Sequence, residues 1–335
     1  MNSPTPGSQA WLDLVDEPII DPTRPIVDPH HHLWDRPNST YALAELWADT
    51  DSGHNIKKTV FLECSASYRE VGPAHLRPVG ETEFVQRLAA ASSEGRADQA
   101  QIAGIVGAAD LSNPDLDEIL DAHEDAGQGL FRGIRHSGAR DPYPEVLRIP
   151  GRAPAGLYQS DAFRVGVARL GERGLTYDTW HYHHQNGDFA DLAAAVPGTT
   201  MILDHFGTPL GVGPYAGQRE VIFSQWQDDI ARIAECGNVV AKLGGLAMPD
   251  NGFGWHEESK PPTSDEFIEA QSRYYHHTIA CFGAERCMFE SNFPVDRWSL
   301  SYPVLWNAFK KMAARYSALD QGALFCGTAT RVYRL

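Results

Sequence analysis

The sequence predicts a single α/β domain, a (β/α)8 TIM barrel, and three observations carry that expectation. First, eight short apolar runs recur along the chain, at residues 26–28, 59–63, 102–108, 130–135, 175–180, 200–204, 239–243 and 287–290. Most are continuous rather than alternating, the pattern of strands covered on both faces in a parallel sheet. Second, helical patterns lie between them, at 81–94, 116–126, 161–173, 189–195, 220–235 and 265–282. Third, no linker divides the chain, and no glycine-rich dinucleotide fingerprint follows the first run. A doubly wound open sheet is therefore the runner-up.

Taken in order, residues 1–24 are proline-rich and read as an irregular leader on the surface, with the barrel spanning 25–335. The first run ends in Asp28-Pro29-His30-His31-His32. On a strand, residues two apart share a face, so His30 and His32 point one way and His31 the other. Two imidazoles at that spacing can grip one metal ion. The fourth and seventh runs are followed by long connections, 141–159 and 248–264, at the strand ends where barrel enzymes build their sites. The closing helical segments, 304–317 and 319–333, are expected to complete the barrel and to serve packing alone.

With 28 basic against 44 acidic side chains and a formal charge of -16 over 335 residues, nucleic acid and anionic membrane are poor partners. The five cysteines show no C-x-x-C spacing and read as free thiols of a reducing compartment. No signal peptide and no membrane-length apolar run is evident, so a cytoplasmic location is expected. The oligomeric state, a homo-oligomer included, is left open.

Chemically useful residues collect where the runs stop. Glu63 ends the second, Arg135-His136 the fourth, His181, His183 and His184 follow the fifth, Asp204-His205 ends the sixth, Lys242 lies in the seventh, and Glu290 to Asp296 follow the eighth. Arg135 offers a planar two-pronged donor for a substrate carboxylate or sulfonate, or pairs with an acid of the barrel core. Glu63 is expected to orient a histidine or to pair with an arginine. His136, Tyr41, Trp180, Tyr182, Trp255 and His256 are candidate walls of a substrate pocket.

Asp28-x-His30-x-His32, Leu203-Asp204-His205-Phe206-Gly207 and Met288-Phe289-Glu290-Ser291-Asn292-Phe293-Pro294-Val295-Asp296 together resemble the amidohydrolase superfamily. Within it they are similar to the amidohydrolase-2 branch of metal-dependent TIM-barrel hydrolases, which holds sugar lactonases, sulfomuconolactone hydrolase, pyrone-dicarboxylate lactonase and, further off, decarboxylases. The resemblance covers roughly residues 26–335. It implies a site at the C-terminal face of the barrel and one divalent metal ion, commonly zinc. By position, His30 and His32 match the first-strand pair and His205 the sixth-strand histidine. His183 is the choice for the fifth-strand histidine, with His181 and His184 close enough to take its place.

The sequence departs from the resemblance at strand eight, where many members carry an aspartate and this chain has Asn292. An amide orients water or binds a metal through its oxygen, but it takes up no proton near neutral pH. Asp296 could fold back as the base, and Glu290 shares a face with Asn292 on a regular strand. Alternatively, Asp296 caps a turn and Glu290 pairs with Lys242 or Arg135.

The expected activity is a hydrolase, a lactonase opening a small, anionic cyclic ester of ring-cleavage catabolism. In that scheme His30, His32 and His205 hold the metal and His183 contacts the metal or the carbonyl. Asp296 with Asn292 handles the proton, and Arg135 anchors the acid group. Preferring ester over amide rests on the resemblance alone. The alternatives are a metal-independent lactonase using the same histidines, a metal-dependent non-oxidative decarboxylase, and a barrel that only binds ligand.

Overall fold

Residues 4–335 are described by a computed structural model of the chain. Eight strands form one sheet: β1 (Pro25–His31), β2 (Asn55–Leu62), β3 (Gln101–Gly107), β4 (Phe131–Arg135), β5 (Thr176–Thr179), β6 (Met201–Leu203), β7 (Val239–Leu243) and β8 (Cys287–Phe289). They lie in sequence order and pair in parallel. The cylinder closes just beyond β8, where the His32 N–H donates to the Phe293 carbonyl at 2.8 Å and the Asn292 N–H to the His30 carbonyl at 3.0 Å. Each strand is followed by a helix: α1 (Leu43–Thr50), α2 (Val79–Ser93), α3 (Leu116–Gly127), α4 (Asp161–Glu172), α5 (Asn186–Ala195), α6 (Arg219–Ala234), α7 (Ser264–Phe282) and α8 (Tyr302–Ala313). This is the (β/α)8 barrel the apolar runs predict, with a small antiparallel ribbon (Trp34–Arg36 with Ser39–Tyr41) added between β1 and α1.

Helix starts follow local chemistry. Ser160 caps α4 by accepting the Phe163 N–H, and Thr263 and Glu266 form a reciprocal capping box that ends the long β7–α7 connection. Ahead of β1, the helical turn Gln9–Leu12 buries Trp11, whose indole N–H donates to the Glu258 carbonyl at 3.0 Å. Among the described residues, no helix is long and apolar enough to cross a membrane, and the five cysteines are unpaired.

The strand period sorts the core into two faces. Ile202, Val240 and Met288 point inward and pack with Val27, Val60, Leu62 and Val106, while their chain neighbours Leu203, Ala241 and Phe289 point outward to the helices. Two residues further along the same strands, Asp204, Lys242 and Glu290 form a second inner layer, about 7 Å above the apolar floor. That floor is completed from below by the C-terminal segment. Residues 319–333, expected as one helix for packing alone, run instead as Ala318–Gly322, a π-turn at Ala323–Gly327 and a last helix, Thr328–Tyr333. Ala329, Val332 and Tyr333 plug the barrel, and the Tyr333 hydroxyl reaches the charged layer.

Candidate active site

The second inner layer is built around Glu290. Its Oε1 accepts the His205 Nδ1–H at 2.7 Å, and its Oε2 lies 2.6 Å from His30 Nδ1 as an ion-pair contact without hydrogen-bond geometry. The first bond puts the His205 proton on Nδ1 and leaves its Nε2 with a lone pair. His32 is fixed likewise: its Nδ1 donates to the Leu62 carbonyl at 2.9 Å. The Nε2 atoms of His30 and His32 then face one another at 3.3 Å. His205 is brought to this point by a left-handed backbone (φ 52°), and the neighbouring Gly245 (φ 75°) admits no side chain, since a Cβ there would stand 2.1 Å from His205 Nδ1.

A ring of charges surrounds the imidazoles. Lys242 Nζ lies 2.9 Å from Asp178 Oδ2, 3.2 Å from Asp204 Oδ1 and 3.4 Å from His30 Nδ1. On the other side Arg135 donates through Nε to Glu63 Oε1 at 2.9 Å and through Nη2 to the Glu63 carbonyl. Its Nη1 stands 3.5 Å from His30 Nε2 and 3.7 Å from Asp204 Oδ2. Neither Asp204 oxygen has a hydrogen-bond partner, although both are buried.

Burial, reinforced by the charge of Lys242, holds His30 far below its ordinary value, and burial takes His205 down to about 3. Both rings are therefore neutral at pH 7, the form that binds metal. Burial pushes the Glu290 carboxyl up to about 8 and that of Asp204 up to about 6. For Lys242, burial works against the charge, but Asp178, Asp204 and Glu290 outweigh it and raise its value. The layer thus holds more buried carboxyls than cations, and its acids are short of positive charge.

The donor set fits a divalent ion. Ligand atoms of His30, Asp204 and His205 all lie within 4.8 Å of one another. The 3.3 Å between the His30 and His32 Nε2 atoms is what two ligands of one tetrahedral ion span at bonds of about 2.0–2.1 Å. An ion there would meet the His32 lone pair and, with the His30 proton on Nδ1, that of His30, and Asp204 adds an oxygen ligand with no hydrogen-bond partner.

Beside this cluster, Asn292 adopts φ 54° and its Nδ2 donates to Asp296 Oδ1 at 2.8 Å, while the Ala247 N–H approaches Oδ2 at 3.3 Å. Asp296 also opens the short turn Asp296–Trp298. Burial raises its carboxyl well above the ordinary range, and the Asn292 hydrogen bond works in the opposite direction.

The other expected residues are distributed as follows. His183 does not join the imidazole cluster. β5 ends at Thr179, and the turn His183–Gln185 swings the ring to the Leu210 N–H, 3.2 Å from Nδ1, and against Tyr215. The inward residue of β5 is Asp178. His136 follows Arg135 on a strand and so faces the opposite way, accepting the Leu111 N–H and packing on Phe163. Tyr182 is fully buried; its hydroxyl accepts the Gly151 N–H and donates to the Ile149 carbonyl, pinning the β4–α4 connection, with Trp180 packed against its ring. Trp255 stacks between Phe253 and Phe267, and His256 neighbours Glu257. Tyr41 donates to Asp49 and lines a separate cavity of about 710 Å³, between the leader and α1. Arg135 is in the cluster, but Glu63 takes two prongs of its fork, leaving Nη1 toward the histidines. From the sequence Asp204 was placed only at the end of the sixth run, and neither it nor Asp178 was given a role. Counting two residues on from the inward apolar position of a strand, as from Ile202, finds Asp204.

Comparisons with known proteins bear on the fold and its relatives. A family model described as amidohydrolase matches residues 27–335. The uncharacterized protein y4mH of Sinorhizobium fredii is 33% identical over 340 residues, covering 92% of this chain and 98% of its own. L-fucono-1,5-lactonase of Burkholderia multivorans is 28% identical over 257 residues, covering 76% of this chain and 77% of its own. Among solved structures, an amidohydrolase from Burkholderia multivorans with bound zinc shares the fold, with a TM-score of 0.71 at 22% identity, over 93% of this chain and all of that one.

Proposed function

The chain belongs to the amidohydrolase family, and on that premise we propose that it is a lactonase that opens a small cyclic ester by attack of water. The observation that carries the reading is the cluster of three inward imidazoles, His205 and His32 each held in one tautomer, together with a buried carboxylate, Asp296, held by the Asn292 amide on the segment that follows β8. Such an arrangement supplies a carbonyl-polarising pole and a proton acceptor together, which hydrolysis needs and decarboxylation does not. The choice of lactone over amide is supported by the lactonase relative.

His30, His32, Asp204 and His205 would hold a divalent ion. When bound, such an ion polarises the ester carbonyl and lowers the pKa of a coordinated water toward 7. Glu290 keeps the His205 proton on Nδ1, away from the ligand atom, and sets its charge beside His30. Asp296 accepts the proton of the attacking water at Oδ1 or Oδ2, and Asn292 keeps that carboxylate aimed. Arg135, anchored by Glu63, presents Nη1 to a substrate oxygen and favours an anionic lactone.

Purified protein assayed by pH-stat against sugar-acid and carboxylated lactones, amides and aromatic acids tests the reading. Acid release from lactones alone is expected; CO2 from aromatic acids, or no turnover across the panel, would sink it. A metal-independent variant of the same reaction is favoured by one contact, Arg135 Nη1 at 3.5 Å from His30 Nε2, where the guanidinium itself would meet the oxyanion. Elemental analysis of active protein separates the two.

A further inference from the structure

The end of the chain enters the candidate site from below. Tyr333, on the last helix, is fully buried among the inward strand residues. Its hydroxyl donates to Asp178 Oδ2 at 2.5 Å. The same oxygen receives Lys242 Nζ at 2.9 Å, and Asp178 Oδ1 accepts from the Thr176 hydroxyl at 3.1 Å. Lys242 in turn spans Asp178 and Asp204, with His30 beside it. A continuous column thus runs from a C-terminal phenol through two buried charges to an unpartnered carboxylate and an imidazole of the donor set.

Competition for Asp178 gives this column its function. A carboxylate oxygen shared by two donors holds each less firmly than one held alone. With the phenol in place, the ammonium stays within ion-pair distance of Asp204, 3.2 Å from Oδ1. Without it, Lys242 draws toward Asp178, and Asp204 loses the charge that faces its Oδ1. Arg135, 3.7 Å from the other Asp204 oxygen, then pulls from the opposite side unopposed.

We propose that Tyr333 is a positioning residue for the metal site, acting through Asp178 and Lys242 to aim Asp204 at the ion. The proposal rests on the metal-assisted reading above, and it makes the last turn of the chain part of the active-site apparatus.

The test uses the full-length protein stripped of metal and titrated with Zn²⁺ against a chromophoric chelator. Tyr333→Phe keeps the ring and its packing and removes only the hydroxyl. Its zinc dissociation constant is expected to rise about tenfold or more, the size of effect seen when a group supporting a metal ligand is lost, with Tm close to wild type. Val332→Ala, one residue away on the same plug, loses packing alone and should lower Tm while keeping zinc affinity. Asp178→Asn should weaken zinc at least as much as Tyr333→Phe. Wild-type affinity in Tyr333→Phe, or an equal loss in Val332→Ala, overturns the proposal while leaving the metal reading intact. Failure of the wild type to take up zinc overturns both.

Discussion

Replacing Glu290 with glutamine probes the centre of the arrangement. The carboxylate accepts from His205 at 2.7 Å and places its other oxygen 2.6 Å from His30 Nδ1 as a charge contact. The amide offers one acceptor and one donor and carries no charge, so it cannot serve both rings as the carboxylate does. If it turns its N–H to His205, that imidazole must shift its proton to Nε2, the atom required for ligation. Hydrogen bonds to an ionised acceptor are worth about 1.5–3 kcal/mol. Making the His205 bond neutral and removing the charge beside His30 costs the metal-ready state about 2–4 kcal/mol, or roughly 30-fold to several hundred-fold in affinity at about 1.4 kcal/mol per decade. Folding stability should move differently. Burial pushes the Glu290 carboxyl up to about 8, so its ionised form is disfavoured in the fold and a neutral isostere relieves that cost. Zinc titration of the metal-free protein, with Tm followed in parallel, checks both. A Glu290→Gln variant that binds zinc like the wild type, or whose zinc loss merely tracks a fall in Tm, would refute the tautomer argument.

Asp296→Asn should lower kcat by about 10²–10⁴-fold, the range of a lost general base, with little change in KM and the fold intact by circular dichroism. Because burial raises the Asp296 carboxyl well above its ordinary value, the ascending limb of the wild-type pH–kcat profile should lie above the usual carboxylate range; a limb near pH 4 contradicts the assignment. Gly245→Ala forces a Cβ to within 2.1 Å of His205 Nδ1 at φ 75°, and overpacking plus the left-handed strain should cost about 2–4 kcal/mol by urea unfolding. His123, buried between Thr82 and the Ala108 carbonyl and stacked on Phe131, is held down at about 4 by burial. Below pH 6.5 the unfolded chain binds a proton that the native ring refuses, so this residue's contribution, full above 6.5, is lost as pH falls toward 4. The stability gap between wild type and His123→Gln should therefore narrow between pH 7.5 and 5 in urea titrations; a constant gap would be inconsistent.

Read alone, the sequence determined the barrel and the inward direction of most site residues. Continuous apolar runs such as 239–243 are written for strands covered on both faces, and the period of two carries their inward positions on to Asp204, Lys242 and Glu290. The His30–His32 pair was legible for the same reason, since a local period needs no knowledge of neighbouring strands. Partnership was not legible. That Glu290 would span His30 and His205, rather than meet Lys242 or Arg135 alone, depends on how far around the cylinder β1, β6 and β8 stand from one another. His183 shows the limit from the other side: its position in the sequence suited a strand end, but β5 stops at Thr179, and the turn that follows carries the ring to Tyr215. Tyr333 had no signal of its own, because only closure of the barrel creates the opening that its helix fills. Local periodicity decides which way a side chain points; convergence of distant chain segments in three dimensions decides what it meets.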